Sequence, residues 1–375
     1  MMDKVSSHFV YTVVALLLLG LIMVASSSSA IAEVYKGHVF AYFNQQLLFA
    51  VIGITIAMVA TQTPLILWQK MAPYLLFIGI VGLLLVLLPG IGKEVNGSRR
   101  WIPLGSINIQ TAEVIKLFII IYIADYLYRH QVQFQRSFFK IFAPMILLSI
   151  PSILLLLQPD LGSVIVIGLT ILLMLFLGGA RISIVAILIG SFIAISYLLI
   201  FSDPYRFARI QAYLEPWADP YGTGFQITQA LMAFGRGEWF GVGLGSSMQK
   251  LMYLPEAHTD FLYSILAEEL GLLAAVIVLI LFVNLILHAW RLGRRAELQG
   301  NVFSAQLAYG IGTWIALQVC INAGVNMGLV PTKGLTLPLM SYGGSSLVMT
   351  LLAIGLLCRI EMELALPKQQ QWWRQ

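Results

Sequence analysis

Runs of about twenty apolar residues, separated by short polar connections, dominate this chain of 375 residues. A helix needs about 20 such residues to cross a bilayer. We therefore expect helices near 9–30, 45–66, 72–90, 111–129, 141–157, 162–179, 183–201, 260–289, 303–327 and 345–360. The sequence predicts an all-α fold, that of a polytopic integral membrane protein with about ten transmembrane helices.

Composition excludes the soluble classes. The chain is 59% hydrophobic and 10% charged, with a mean hydropathy of +0.88, whereas soluble domains carry about 25% charged residues. The net charge is +5, but the cations form short clusters between apolar runs. This is the positive-inside pattern and not a nucleic-acid stripe. Cys320 and Cys358 lie far apart, without metal-ligand spacing.

The N-terminus is open to two interpretations. Lys4, the apolar run 9–25 and the small residues 26–32 resemble a signal peptide with its cleavage site. The apolar stretch reaches about 20 residues once Ser and Ala are included, which is long enough to span a membrane. We expect it to remain as the first helix.

The connecting loops predict the orientation. Clusters of cations follow every second helix, at 129–140, 181, 288–295 and 359–374. With an even number of helices, this set shares one face with both termini, and that face is predicted to be cytoplasmic. The opposite face receives the 91–110 loop, the large polar 202–258 loop before helix eight and the 328–345 loop. We expect the 202–258 loop to form short interfacial helices and turns within a single domain, 1–375.

One acidic residue stands out at the outer end of helix eight. Asp260 follows Glu256 and His258 where the polar loop runs into a long apolar helix. Ionisable groups at membrane depth are costly and mark functional sites. Asp260 is therefore predicted to be catalytic, with Glu256 and His258 contacting substrate. The alternative is that Thr259 and Asp260 only cap the helix.

Other acids have competing interpretations. Glu113 and Lys116 are spaced i,i+3 and can pair, either as a structural ion pair or as part of a substrate cavity. Asp160, in the turn Gln158–Ser163, is more typical of a helix cap than of a catalyst. Glu268 and Glu269 lie deeper in helix eight, and we expect one of them to pair with another helix.

The last outer loop could hold an anion. Pro331–Leu335 contains Lys333, and the run Ser341–Ser346 leads into the final helix. Backbone N–H groups at such a start can bind phosphate, although a plain helix start is equally consistent. The residues predicted to bind substrate here are Lys333, Ser341, Gly343, Gly344 and Ser345.

Several segments together resemble the SEDS family (shape, elongation, division and sporulation) of peptidoglycan polymerases, over essentially the whole chain. The resemblance is carried by Asn96–Ile102, Glu113–Lys116, Gln158–Gly162, Leu254–Phe261 and Ser341–Ser346. Residues 255–260 and 331–335 are similar to the division branch, FtsW, more than to the elongation branch, RodA. One departure is Gln229-Ala230, where the family often has Gln-Ser.

This resemblance implies polymerisation of lipid II into β-1,4 glycan on the outer face of the inner membrane, with Asp260 as the essential acid and Glu113 and Lys116 as the family's pair. It also implies a septal location and, as partners, a class B penicillin-binding protein and other septal division proteins. A lipid diphosphate leaves as a stable anion, so one general base suffices. The cations expected to neutralise the diphosphate are Arg206, Arg209, Lys250 and Lys333.

No metal cluster is visible in the sequence, so a divalent cation such as Mg²⁺ or Mn²⁺ would be held partly by the diphosphate. Two other functions stay open. A lipid II flippase would use the intramembrane charges as a path, although no inverted repeat of the transporter type is visible. A scaffold would only recruit other septal proteins.

Overall fold

The computed structural model describes residues 5–95, 98–105, 107–131 and 138–366, without the side chains at 95, 104, 107, 138–141, 205 and 206. The helices before the large loop are α1 (Ser7–Lys36), α2 (Ala41–Gln62), α3 (Leu65–Leu87), α4 (Thr111–Arg129), α5 (Phe138–Leu157), α6 (Leu161–Leu177) and α7 (Ile182–Phe201). Within the loop are α8 (Pro204–Leu214), α9 (Phe225–Gly237) and a π-type turn, Gln249–Tyr253. The chain continues with α10 (Leu262–Leu298), α11 (Val302–Asn326) and α12 (Gly344–Leu364).

Each stretch predicted to span the membrane falls on one of these helices. The bounds differ by several residues. For example, α3 begins at Leu65 and not at the predicted 72, because Pro64 ends the preceding turn. Among the described residues, six helices are long and apolar enough to cross a membrane, namely α1, α2, α3, α7, α10 and α11. The chain is thus a multi-pass membrane protein, and the count of ten stays a prediction.

The centre of the bundle is α11. In its most apolar window 78% of residues are buried, against 17% for α7 at the periphery. Small residues let the neighbouring helices come close, as is usual between membrane helices. A Cβ at Gly355 of α12 would lie 2.6 Å from the Ala57 carbonyl oxygen of α2.

The 91–110 loop contains a small sheet that the all-α expectation did not include. Strands β1 (Lys93–Val95), β2 (Ser98–Leu104) and β3 (Ile107–Gln110) form an antiparallel meander in chain order. The sheet leads directly into α4, and Arg100 on β2 donates hydrogen bonds to the carbonyls of Gln158 and Pro159, at 3.0 and 2.7 Å. It therefore fixes the turn between α5 and α6.

A break in α10 shapes the outer face. Gly271 has φ 79° and ψ 177°, a conformation open almost only to glycine. Residues 238–243, here called the inserted segment, fill the break through four backbone hydrogen bonds. The N–H groups of Val242 and Gly243 donate to the carbonyls of Glu268 and Glu269, and those of Leu272 and Leu273 donate to the carbonyls of Glu238 and Trp239. The outer end of α10 is thereby joined to the large loop.

Candidate functional site

Asp260 lies in the turn that immediately precedes α10. Its side chain is partly exposed but densely surrounded by protein. Within the described part of the chain, no group donates a hydrogen bond to its carboxylate or forms an ion pair with it. Gly334 of the last outer loop lies against it, because a Cβ at that glycine would be 3.1 Å from the Asp260 Oδ2 atom. The carboxylate is available to a ligand.

The electrostatic surroundings of Asp260 suit a base. Burial, and secondarily the charge of Glu256, raise the pKa of Asp260 to about 7. The Arg100 and Arg209 guanidinium groups oppose this rise, and Asp160 adds a small increase. Desolvation dominates because it disfavours the charged form directly. A carboxyl group that titrates near neutrality can accept a proton at physiological pH.

The backbone of Asp260 is held by two amides that the sequence analysis missed. Asn322 and Asn326 of α11 both donate from Nδ2 to the Asp260 carbonyl oxygen, each at 2.9 Å. The Asn326 Oδ1 atom accepts from the backbone N–H of Ser264 at 2.9 Å, so it caps α10 from another helix. The capping alternative for Asp260 is therefore wrong. Two buried amides four residues apart in an apolar helix were the available signal.

The neighbours Glu256 and His258 play different parts. Glu256 is exposed and accepts a hydrogen bond from the Thr259 hydroxyl at 2.7 Å. The His258 ring is buried against Tyr42 and Tyr342, with centroids 4.8 and 5.4 Å away. Burial lowers the pKa of His258 and so favours the neutral ring, while the charge of Glu256 opposes this. This packing argues against its predicted contact with substrate.

The cations near Asp260 come from two elements. Arg209 of α8 donates from Nη1 to the Thr332 carbonyl at 3.1 Å, which ties α8 to the last outer loop. Arg100 was not among the predicted site residues, although the positive-inside rule gives no reason for a cation on the outer face. Lys333 is partly exposed in that loop. The side chain of Arg206, also predicted to bind substrate, lies outside the described residues.

Lys250 is not placed to bind a diphosphate. It is buried, and its Nζ atom lies 2.8 Å from the Glu269 Oε1 atom and 3.1 Å from the Ser26 hydroxyl of α1. Its charge is therefore used to neutralise Glu269 inside the protein. This burial argues against the predicted diphosphate contact, because Glu269, buried in α10, requires Lys250 as its cationic partner.

One of Glu268 and Glu269 was expected to pair with another helix, and both do: Glu269 accepts from the Ser26 hydroxyl of α1 and Glu268 from Arg236 of α9. Both also hold the 247–250 segment, because the loop returns to the broken helix and meets each of them. Glu268 accepts from Arg236 at 3.0 Å, from the Met248 N–H at 3.0 Å and from the Ser247 hydroxyl.

We expect Lys250→Met to destabilise the fold by about 3 kcal/mol, because Glu269 would keep its charge in a buried site without its cation. Thermal unfolding of the purified protein in detergent measures this loss. Lys36→Met, at an exposed position in the last turn of α1, is the matched control and should leave stability unchanged. A Lys250→Met variant of normal stability with a raised KM would instead support the diphosphate contact.

Glu113 and Lys116 form the predicted pair. The Lys116 Nζ atom lies 2.8 Å from the Glu113 Oε1 atom, and both side chains are buried in α4. The ammonium also lies 5.7 Å from the Trp314 ring centre. The second oxygen of Glu113 has no hydrogen-bond partner among the described residues. The pair is consistent with a structural role, and contact with substrate stays a proposal.

The Ser341–Ser346 run is used largely for packing. The Gly343 N–H donates to Gln46 at 3.2 Å, and the Ser345 hydroxyl accepts from the Gln110 N–H at 2.9 Å. The Ser341 hydroxyl accepts from the Leu337 N–H at 2.9 Å. A Cβ at Gly344 would collide with the Phe49 ring. These contacts favour a plain helix start over the predicted anion site.

Asp160 has the structural role that was favoured for it. Its carboxylate accepts from the Ser163 N–H at 3.0 Å and from the Ser163 hydroxyl at 2.7 Å, which caps α6. Across the described ranges no group of three or more His, Cys, Asp or Glu residues could hold a metal ion. The described side chains therefore offer no cage for a divalent cation.

Comparisons with known proteins agree with one another. A family model for cell cycle proteins (FtsW, RodA and SpoVE) matches residues 7–366. A probable peptidoglycan glycosyltransferase FtsW from Nitrosococcus halophilus is 50% identical over 358 residues, 95% of this chain and 92% of that protein. The protein of the same name from Coxiella burnetii is 50% identical over 349 residues, 93% and 94% of the two chains.

Solved structures share the fold. A chain from a study of polymerization and crosslinking by a peptidoglycan synthase complex matches with a TM-score of 0.78 at 27% identity, covering 96% of this chain and 99% of that one. The Thermus thermophilus rod shape determining protein RodA matches with a TM-score of 0.70 at 26% identity, covering 96% and 98%.

Proposed function

This chain belongs to the FtsW, RodA and SpoVE family of cell cycle proteins, and from that membership we propose how its residues perform the reaction. The protein is a peptidoglycan glycosyltransferase. Its substrate in this proposal is lipid II, which it polymerises into β-1,4 glycan at the outer membrane face. The observation that carries the proposal is the Asp260 carboxylate, unpaired among the described residues and with a pKa of about 7.

Asp260 acts as the general base. It takes the proton from the 4-hydroxyl of the acceptor sugar while that oxygen forms a bond to the donor anomeric carbon. The bond between that carbon and the phosphate oxygen breaks, and its electron pair leaves with the lipid diphosphate. The leaving group is stable as an anion, so the second carboxylate that glycosidases need has no task here.

Arg100 and Arg209 supply positive charge for the departing diphosphate. Both act on Asp260 electrostatically and lower its pKa, so both guanidinium groups lie within range of a bound anion. Each also fixes a backbone segment, at Pro159 and Thr332 respectively. Fixed cations beside the reacting atoms stabilise charge as it develops on the leaving group.

Reconstitution separates this proposal from transport of the same lipid. Purified protein in vesicles carrying fluorescent lipid II should produce glycan chains that a muramidase degrades. Movement of the label across the bilayer without any glycan product would support the flippase alternative and contradict the enzymatic one. Vesicles without protein serve as the control for both measurements.

Location and partners complete the proposal. In this proposal both termini are cytoplasmic and Asp260 lies on the outer side of the inner membrane, which the cation pattern of the loops supports. We assign the protein to the division septum on the similarity of residues 255–260 and 331–335 to the division branch. A class B penicillin-binding protein is the proposed partner, supported by the likeness to a chain of a peptidoglycan synthase complex, with other septal division proteins around it.

A further inference from the structure

Two asparagines on α11 connect the start of α10 with the last outer loop. We propose that Asn326 and Asn322 are positioning residues for Asp260: Asn326 caps α10 in place of the aspartate, and Asn322 fixes the aspartate against Gly334. Their task is to keep the Asp260 carboxylate unoccupied and aimed at the acceptor. This inference rests on the proposed function, since it assumes that Asp260 is the base.

Asn326 satisfies the first turn of α10. Phe261, which occupies the N-cap position, provides no side-chain hydrogen bond. The Asn326 Oδ1 atom instead accepts from the N–H and the hydroxyl of Ser264, at 2.9 and 2.7 Å. Aspartate is among the most favoured residues for this task at a helix start. Because Asn326 performs it from a neighbouring helix, Asp260 is released from it.

Asn322 joins two segments with one amide group. Its Nδ2 atom donates to the Asp260 carbonyl at 2.9 Å and to the Leu335 carbonyl at 2.6 Å. The second segment carries Gly334, whose missing side chain leaves room beside the Asp260 Oδ2 atom. Asn322 and Asn326 are both buried, and their donated hydrogen bonds occupy both lone pairs of the Asp260 carbonyl. The peptide at Asp260 therefore has little freedom to rotate.

Loss of the cap has a definite chemical consequence. Without Asn326, the Ser264 N–H keeps only the Phe261 carbonyl, at 3.0 Å, and Asp260 is the acidic side chain nearest the start of the helix. A carboxylate that accepts backbone N–H bonds has a lowered pKa, because those bonds stabilise its charged form. The other charged groups that act on Asp260 are Glu256, Arg100, Arg209 and Asp160, and none of them changes in this variant.

The test is the pH dependence of kcat/KM for lipid II polymerisation, measured on folded, monodisperse protein in detergent. We expect Asn326→Ala to lower the rate at pH 7 by about tenfold or more, since the carboxylate is misdirected. The fall of its kcat/KM at acid pH, here called the acid limb, should move to lower pH by roughly one unit. Asn326→Asp keeps an acceptor for Ser264 and adds a negative charge, so its acid limb should move to higher pH.

Gln318→Ala is the matched control. Gln318 is a buried amide on the same helix, and it donates to the Thr336 carbonyl at 3.1 Å. Its loss should lower thermal stability and leave the acid limb in place. A merely structural role for Asn326 predicts the same result for Asn326→Ala, and that result would overturn the inference. If Asn326→Ala does not fold, an unchanged kcat in Asn322→Ala overturns it equally.

Failure of the inference is distinguishable from failure of the proposed function. Asp260→Asn at the wild-type rate would remove the general base and with it the proposed function. An inactive Asp260→Asn beside Asn326 variants with wild-type profiles would remove only the positioning role. Asn322→Ala adds an independent readout: the proposal expects a lower kcat, whereas an unchanged kcat contradicts the link through Leu335.

Discussion

Asp260→Asn is expected to reduce lipid II polymerisation by about 10²- to 10⁴-fold, the range that a positioned general base contributes. The substitution keeps the shape of the side chain and its surroundings but removes the group that accepts the proton. No other described carboxylate stands ready to replace it, because Asp160 caps α6 and Glu256 is exposed and bonded to Thr259. Gel analysis of glycan products from labelled lipid II measures the loss, and a product yield like that of the wild type would refute the role.

The same carboxylate fixes the pH dependence. Asp260 must be deprotonated to accept a proton, and its pKa is raised to about 7. The value of kcat/KM should therefore be at its maximum above pH 7 and fall as pH decreases through that value. Glu256→Gln removes a charge that raises the pKa of Asp260, so its acid limb should lie at lower pH while polymerisation continues. An acid limb near pH 4 in the wild type would contradict the assigned base.

Gly271→Ala should have the largest effect on folding, a loss of about 4 kcal/mol or more. The residue occupies a backbone conformation that alanine avoids, and a Cβ there would collide with the Trp239 carbonyl and the Gly241 N–H group of the inserted segment. Both contacts are backbone atoms held by hydrogen bonds, so neither can move aside cheaply. Thermal unfolding and the folded yield after detergent extraction measure the change.

Gly235→Ala provides the control for that result. Gly235 lies in α9, close in sequence to the inserted segment, and a Cβ there meets nothing within 4 Å. Alanine also has the higher helix propensity, so this variant should be as stable as the wild type or slightly more so. Equal stability of the two alanine variants would show that the break in α10 tolerates a side chain.

Local patterns predicted the features that depend on neighbouring residues. The Glu113–Lys116 pair and the Asp160 cap follow from spacings of three residues, and both are confirmed. Long apolar runs likewise predicted the helical membrane fold. The sheet at 93–110 was missed, although Asn96-Gly97 is a typical hairpin dipeptide, because the segment was treated only as a connection.

Features that depend on distant segments could not be predicted in this way. The pairing of Lys250 with Glu269 requires the loop to return to the broken helix. In the sequence, only the glycine spacing around 241–245 indicated that the loop backbone approaches another segment closely. Asn322 and Asn326 act on a residue more than sixty positions earlier. Long-range contacts of this kind leave no periodicity in a single sequence.

The break at Gly271 also divides α10 into two parts with different surroundings. Between Gly271 and the first cation, Arg291, exposed apolar side chains on α10 run from Leu272 to Trp290, a rise of about 27 Å at 1.5 Å per residue, close to the hydrocarbon thickness of a bilayer. The turns before Gly271 are instead buried among other helices, so the lipid-facing part of α10 ends at the break.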